Sequence, residues 1–170
     1  MKQHNGMRPH DIVILLKIAT LKDNPWRAKD LAQALNISAS EVSESLHRSQ
    51  LVQLLTADKK QLMRNNLLDF IEFGLRYVFP AEPGAIQRGM ATAISGPPLN
   101  RHISAESAFV WPWANGQVRG QAIAPLHPGV PEACSHDDAL YEMLTLIDAV
   151  RLNKSREKQT AIEELRKRIL

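Results

Sequence analysis

Ala28, Leu31, Ala32 and Leu35 recur at i, i+3, i+4 and i+7, and the residues after them limit this part of the chain to a helix, a tight turn and a second helix. Asn36 stands where a left-handed C-terminal cap is wanted. Ile37 supplies an apolar plug, and Ser38-Ala39-Ser40-Glu41 spells a capping box that opens the next helix. The spacing therefore predicts two helices joined by a turn of about three residues. In the second helix Val42 and Leu46 repeat at i, i+4 and face inward, which turns Ser40, Ser43, Glu44, His47 and Arg48 outward. Small hydroxyl side chains let a helix N-terminus approach a DNA major groove closely, and Arg or His can reach base edges or phosphates. Ser38, Ser40, Ser43, Glu44, His47 and Arg48 are thus candidate DNA-contacting residues. The same pattern also fits a solvated helical hairpin with Glu44 and Arg48 as a surface i, i+4 pair.

Leu51, Val52, Leu54 and Leu55 then form a short apolar run, Thr56-Ala57-Asp58 breaks it, and Lys59 to Met63 resumes before Arg64. This reads as a miniature two-stranded hairpin. With lysines at its tip, directly after a candidate recognition helix, it is a wing placed to touch the phosphate backbone through Lys59, Lys60 and Arg64. One continuous helix over residues 51–79, with both lysines on its wet face, satisfies the same pattern.

The remaining periodicity organises the chain around this unit. Pro9 with Ile12, Leu15, Leu16 and Ala19 predicts a first helix ending near Lys22, and Trp26 is expected to pack beneath the helices. Asn65 or Asn66 can cap a fourth helix whose stripe is Leu67, Leu68, Ile71, Leu75 and Val78, widened by Phe70 and Phe73. From Pro80 to Pro131 the composition shifts, since eight of the ten prolines and six of the eight glycines lie there. Long helices are excluded by that punctuation. Asn115-Gly116 between Phe109–Trp113 and Gln117–Ile123 predicts a two-residue hairpin, with Pro112 marking its first strand as an edge, and Arg88–Ile94 offers another extended piece. Leu140, Met143, Leu144, Ile147 and Val150 predict a helix stopping at Asn153, and Ile162, Leu165 and Ile169 a last amphipathic one. The expected fold is α+β and mainly helical: a winged helix-turn-helix over residues 1–79, then a small β-hairpin and helical unit over 80–170, a region for dimerisation or ligand sensing.

The segments DLAQALNISASEVSESLHR, FIEFGLRYVFP, VWPWANGQVRGQAIAPL and LYEMLTLIDAVRLNKSREK, taken together, resemble a bacterial family of winged-helix proteins described as MarR-like transcriptional regulators. The likeness covers nearly the whole chain. Its helix-turn-helix part is shared by many regulators, whereas GLRYVFP, VWP, RG and IDAVR in combination are more particular. It implies a DNA-binding regulator and assigns no role to the second half. Where relatives open the chain's second helix with a small polar residue, this chain has Arg27.

Charge agrees with a polyanionic partner at the N-terminal module. Residues 1–79 hold 11 Lys/Arg against 8 Asp/Glu, residues 80–150 hold 3 against 7, and residues 151–170 hold 7 against 3, for a net charge of +3. Cys134 is the single cysteine, so an internal disulfide or a multi-thiolate zinc site is excluded, and a reducing cytoplasm is expected. Neither a signal core nor a membrane-length apolar run is found. The phosphate-binding, dinucleotide, zinc-protease and nucleophile-elbow motifs are also absent, so neither an enzyme nor a cofactor is expected. Histidines stand at 4, 10, 47, 102, 127 and 136. His136, Asp137 and Asp138 beside Cys134 make a weak metal set that helix capping explains as well, and no metal is expected.

These readings converge on a sequence-specific, double-stranded DNA-binding regulator acting as a homodimer, its seam on the fourth or the last helix. Trp111, Trp113 and Arg119 are expected either to line a small-molecule effector pocket or to pack the hairpin. The alternative function is a protein-interaction module, antitoxin-like or part of an assembly, whose winged helix binds a protein through Glu41 and Glu44.

Overall fold

The computed structural model describes residues 6–170; His4 therefore lies outside the described residues. Helix α1 (Pro9–Thr20) carries Pro9 in its first turn, where a missing N–H costs nothing. Asp11 accepts the Arg8 backbone N–H at 2.8 Å and closes that end. Ile12, Val13, Ile14, Leu15, Leu16 and Ile18 are all buried, so α1 is apolar on every side and sits at the centre of the molecule. Helix α2 (Ala28–Leu35) ends on Asn36 in the left-handed region (φ 53°, ψ 45°), and Ile37 is buried in the turn. The Ser38 hydroxyl accepts the Glu41 N–H at 3.2 Å and starts α3 (Ala39–Leu51). At Arg27 the missing small cap is offset by Asp30, whose carboxylate accepts the Arg27 backbone N–H at 3.1 Å. These three helices pack on one another.

Past α3 the chain makes a hairpin, not a continued helix. The Thr56 N–H reaches the Gln61 carbonyl and the Met63 N–H the Leu54 carbonyl, each at 2.9 Å, with Leu55 opposite Leu62. Leu54 and Leu55 are buried under it. Helices α4 (Arg64–Phe73) and α5 (Leu75–Val78) meet at Gly74. Neither expected asparagine caps α4: Met63 precedes it, and the Asn66 amide instead donates to the Gln53 carbonyl at 2.8 Å. Leu67, Leu68, Ile71 and Leu75 are buried, whereas Phe73, Tyr77 and Val78 are exposed.

Residues 86–122 form a closed three-stranded barrel. Strand β1 (Ile86–Ala91) runs antiparallel to β2 (Phe109–Pro112), with Ala91 opposite Val110, and to β3 (Val118–Ala122), with Ile86 opposite Gln121. Consequently β2 and β3 are parallel, Phe109 opposite Gln121, and the expected hairpin is not formed. Asn115-Gly116 does turn the chain, through a Gly116 N–H to Trp113 carbonyl bond of 3.1 Å, but the turn crosses over β1. Glycine makes the crossing possible: a Cβ on Gly116 would lie 2.2 Å from the Gly89 backbone, and one on Gly89 would lie 1.9 Å from the Trp111 carbonyl oxygen. Pro112 is no edge marker, because closure removes edges; it is tolerated where β2 ends.

Helices α6 (Val130–Ser135), α7 (Asp138–Leu152) and α8 (Ser155–Ile169) complete the chain, α7 stopping at left-handed Asn153 (φ 58°). Ile162, Leu165 and Ile169 are buried within the protein, where α8 packs on α7, α4 and α1. The last helix is therefore not an apolar face left over for a second copy. One apolar cluster runs from α1 through α8, across residues 79–80.

A buried polar network fastens the second half. Asp148 accepts hydrogen bonds from the Thr92 hydroxyl and the Trp111 indole N–H, both 2.6 Å, and from Arg151 at 2.7 Å. Arg151 also donates to the carbonyls of Phe79 (2.9 Å) and Ala124 (3.0 Å). Burial pushes the Asp148 carboxyl up, and Arg151 with the two neutral donors opposes that shift. The distinctive segments GLRYVFP, VWP and IDAVR thus meet in one place, and their part there is structural.

Candidate nucleic-acid interface

Helix α3 is held by Val42, Ser45, Leu46 and Ser49, all buried, and presents Ser40, Ser43, Glu44 and His47 to solvent along one face. Ser38 acts first as the cap, and its hydroxyl lies 3.3 Å from that of Ser40. Next comes the hairpin, shaped by Asp58. Its carboxylate accepts the Thr56 hydroxyl at 2.5 Å and the Lys60 N–H at 3.0 Å, bonds that hold it below the ordinary value. Lys59, in the left-handed region (φ 60°), and exposed Lys60 stand at the tip. Neither lysine forms an ion pair among the described residues. The outward row of α3 and the lysine tip therefore adjoin in sequence and are both accessible.

Two residues expected at the interface are engaged elsewhere. Arg48 does not point outward. Its guanidinium clasps Asp11 of α1, Nε to Oδ2 at 2.9 Å and Nη2 to Oδ1 at 2.7 Å, and its side chain is only 13% exposed. Burying Asp11 completely demands such a partner, because an isolated carboxylate in the core is prohibitively unfavourable. Arg64 is committed as well. It donates to the carbonyl of Ile169 at 2.7 Å and to that of Lys22 at 3.3 Å, satisfying the end of α8 and the end of α1. A cation that the spacing of apolar residues does not single out is Lys29, exposed in the first turn of α2. Its place beside the candidate recognition helix is the signal that could find it, since the leading helix of such a pair crosses the backbone.

Around Arg48 lies a second cluster. His10 Nε2 is 3.3 Å from Arg48 Nη2, and the rings of His10 and His127 meet edge to face with centroids 6.0 Å apart. His127 Nδ1 accepts the Gly129 N–H at 3.0 Å, which orients the ring that meets His10 of α1. Burial lowers both histidine pKa values.

No protein-family model, curated protein or solved structure matches this chain. The chemistry open to the site rests on its own geometry. Trp111 and Arg119 do not share a pocket: Trp111 is 1% exposed and bonded to Asp148, Trp113 is half-buried, and Arg119 is exposed opposite Arg88 on the barrel. The weak metal set dissolves similarly. Asp137 caps α7 through the Leu140 N–H (3.0 Å) and pairs with Lys17 at 2.6 Å, while exposed His136 lies 3.4 Å from Glu132. Cys134 is buried, and burial pushes its thiol far up, away from thiolate chemistry. No group of three or more metal-ligating side chains is gathered among the described residues, nor is any helix there long and apolar enough to cross a membrane.

Proposed function

We propose that this chain is a sequence-specific regulator of transcription that binds double-stranded DNA as a dimer, as its resemblance to MarR-like winged-helix proteins implies. One observation carries the reading: an exposed row of Ser40, Ser43 and His47 on α3, followed at once by a hairpin with Lys59 and Lys60 at its tip. The row reads base edges; Lys59, Lys60 and Lys29 hold phosphates. Ser38 contributes through the cap, while Arg48 and Arg64 support the site from behind. A single helix of this kind reads too few base pairs for genomic specificity, which is the ground for a dimer on an inverted repeat. Phe73, Tyr77 and Val78, exposed on α4 and α5, replace the last helix as its seam.

Mobility shift with the duplex upstream of the gene against random duplex tests the reading. Ser43→Ala or His47→Ala is expected to cost roughly 1 to 3 kcal/mol on the specific duplex only. Lys59→Ala with Lys60→Ala is expected to weaken both duplexes alike and to lower the salt slope by about one for each phosphate neutralisation removed. Light scattering on Phe73→Ser with Tyr77→Ser is expected to give a monomer from a dimeric parent.

A second reading gains from the burial of Arg48. The exposed face of α3 then carries Glu41 and Glu44 with no Lys or Arg, and Leu51 and Val52 are exposed at its end. Such a face suits a basic protein partner. If folded Ser43 and His47 variants bind the specific duplex as the parent does, this reading replaces the first.

A further inference from the structure

A cleft of about 590 Å³ opens between the α1–α2 linker, the hairpin and the start of α4. That volume falls within the range of ligand sites. Its lining has three kinds of group. Ile18, Leu62 and half-buried Trp26 are apolar or aromatic; Asn24 and Gln61 each offer an amide donor and acceptor; Lys22, Lys60 and Arg64 face a single acid, Asp23. None of the three cations forms an ion pair among the described residues. The two hydrogen bonds of Arg64 to backbone carbonyls fix the guanidinium at the cleft without neutralising it, and one of those carbonyls belongs to Lys22.

This lining sorts ligands. A purely apolar molecule would leave three cations beneath it undischarged, and a bare phosphate would leave the indole and Leu62 unused. An excess of two positive charges, from three cations and Asp23, matches a phosphate dianion. A flat ring bearing hydrogen-bonding edges uses Trp26, Asn24 and Gln61 together. We infer that the cleft binds a nucleoside monophosphate, its phosphate held by Lys22, Lys60 and Arg64 and its base set against Trp26. Lys60 belongs to both the cleft and the hairpin tip, so an occupied cleft takes one phosphate contact from a duplex. That regulatory consequence rests on the DNA-binding reading, whereas the binding itself does not.

Isothermal titration of the full chain, without DNA, with adenosine 5′-monophosphate and guanosine 5′-monophosphate is the test. At least one is expected to bind about tenfold or more tighter than adenosine, guanosine or inorganic phosphate, since each of these loses one of the two recognised parts. Lys22→Gln with Lys60→Gln, both at solvent-accessible positions, is expected to weaken binding about tenfold or more with thermal unfolding unchanged. Trp26→Phe retains a stacking ring and is expected to cost less than Trp26→Leu, with circular dichroism reporting whether each is folded. Absence of binding by both nucleotides overturns the inference, as does equal affinity for nucleoside and nucleotide, for phosphate and nucleotide, or for parent and double lysine variant. A failed mobility shift beside a positive titration overturns only the DNA reading. A positive shift beside a silent titration overturns only this one.

Discussion

Replacing Arg48 by Met keeps most of the stem and removes the charge that Asp11 needs. In the native protein Asp11 has no exposure and accepts Arg48 at 2.7 and 2.9 Å; after the change it retains the Arg8 N–H at 2.8 Å and a 3.8 Å approach from His10. Breaking a buried pair by deleting one partner costs about 3 to 5 kcal/mol. The retained N–H and the helix N-terminus continue to favour a carboxylate, so the expected loss is at the lower end, about 3 kcal/mol. For a chain of this length that lowers Tm by roughly 6 to 12 °C. Adding Asp11→Asn removes the stranded charge and is expected to restore about 2 kcal/mol, a coupling that a double-mutant cycle from urea unfolding measures. Circular dichroism supplies the unfolding curves, and mobility shift of the folded variant supplies the contrast. Its salt slope is expected to equal the parent's, unlike that of the lysine variants. A loss under about 1 kcal/mol together with a salt slope lower by about one would refute the reasoning and return Arg48 to the phosphate backbone.

The histidine pair gives a pH signature. Burial lowers both His10 and His127 below the ordinary 6.5, so the unfolded chain takes up protons first; stability is full above pH 6.5 and is lost as pH falls from there through the lowered values of the folded protein. Urea midpoints measured from about pH 7 to 5 are expected to decline less steeply in His10→Gln with His127→Gln, and an unchanged slope would assign the decline to other groups. Trp111→Phe leaves Asp148 one donor short in a fully buried site and opens a small void, for an expected loss of about 2 to 4 kcal/mol in denaturant unfolding. A loss below about 1 kcal/mol would mean that Asp148 does not depend on the indole.

Signals confined to a few residues are readable in the sequence, because the physics that sets them is itself local. Asn36 and Asn153 adopt the left-handed conformation their stop positions suggest, Ser38 caps α3, and Pro9 opens α1. Arg48 is not readable in this way, because its partner lies 37 residues away in sequence. Helical spacing from Val42 and Leu46 turns it outward with Ser40 and His47, and only the third dimension sets it against Asp11. A clue does exist: Asp11 stands at the head of a helix whose next five residues, Ile12 to Leu16, are all apolar, and such an acid needs a cation. Asn115-Gly116 shows the same limit. It marks a turn, but which strand receives the returning chain depends on Gly89 and Gly116 passing within touching distance of each other. The candidate cleft is invisible in the sequence for a similar reason, as Trp26, Lys60 and Arg64 come from three separate elements.

Helix α1, buried on every side, has a consequence for how a protein of this design changes state. It is shared property: α2 and α3 pack on it from one direction, α7 and α8 from others. A segment cut free at residue 79 would bare the α1 surface that meets α7 and α8, so it is neither transplantable onto another protein nor free to swing on a hinge. Whatever alters the α3 face must therefore strain or tilt the molecule as one piece and not bend it at a joint.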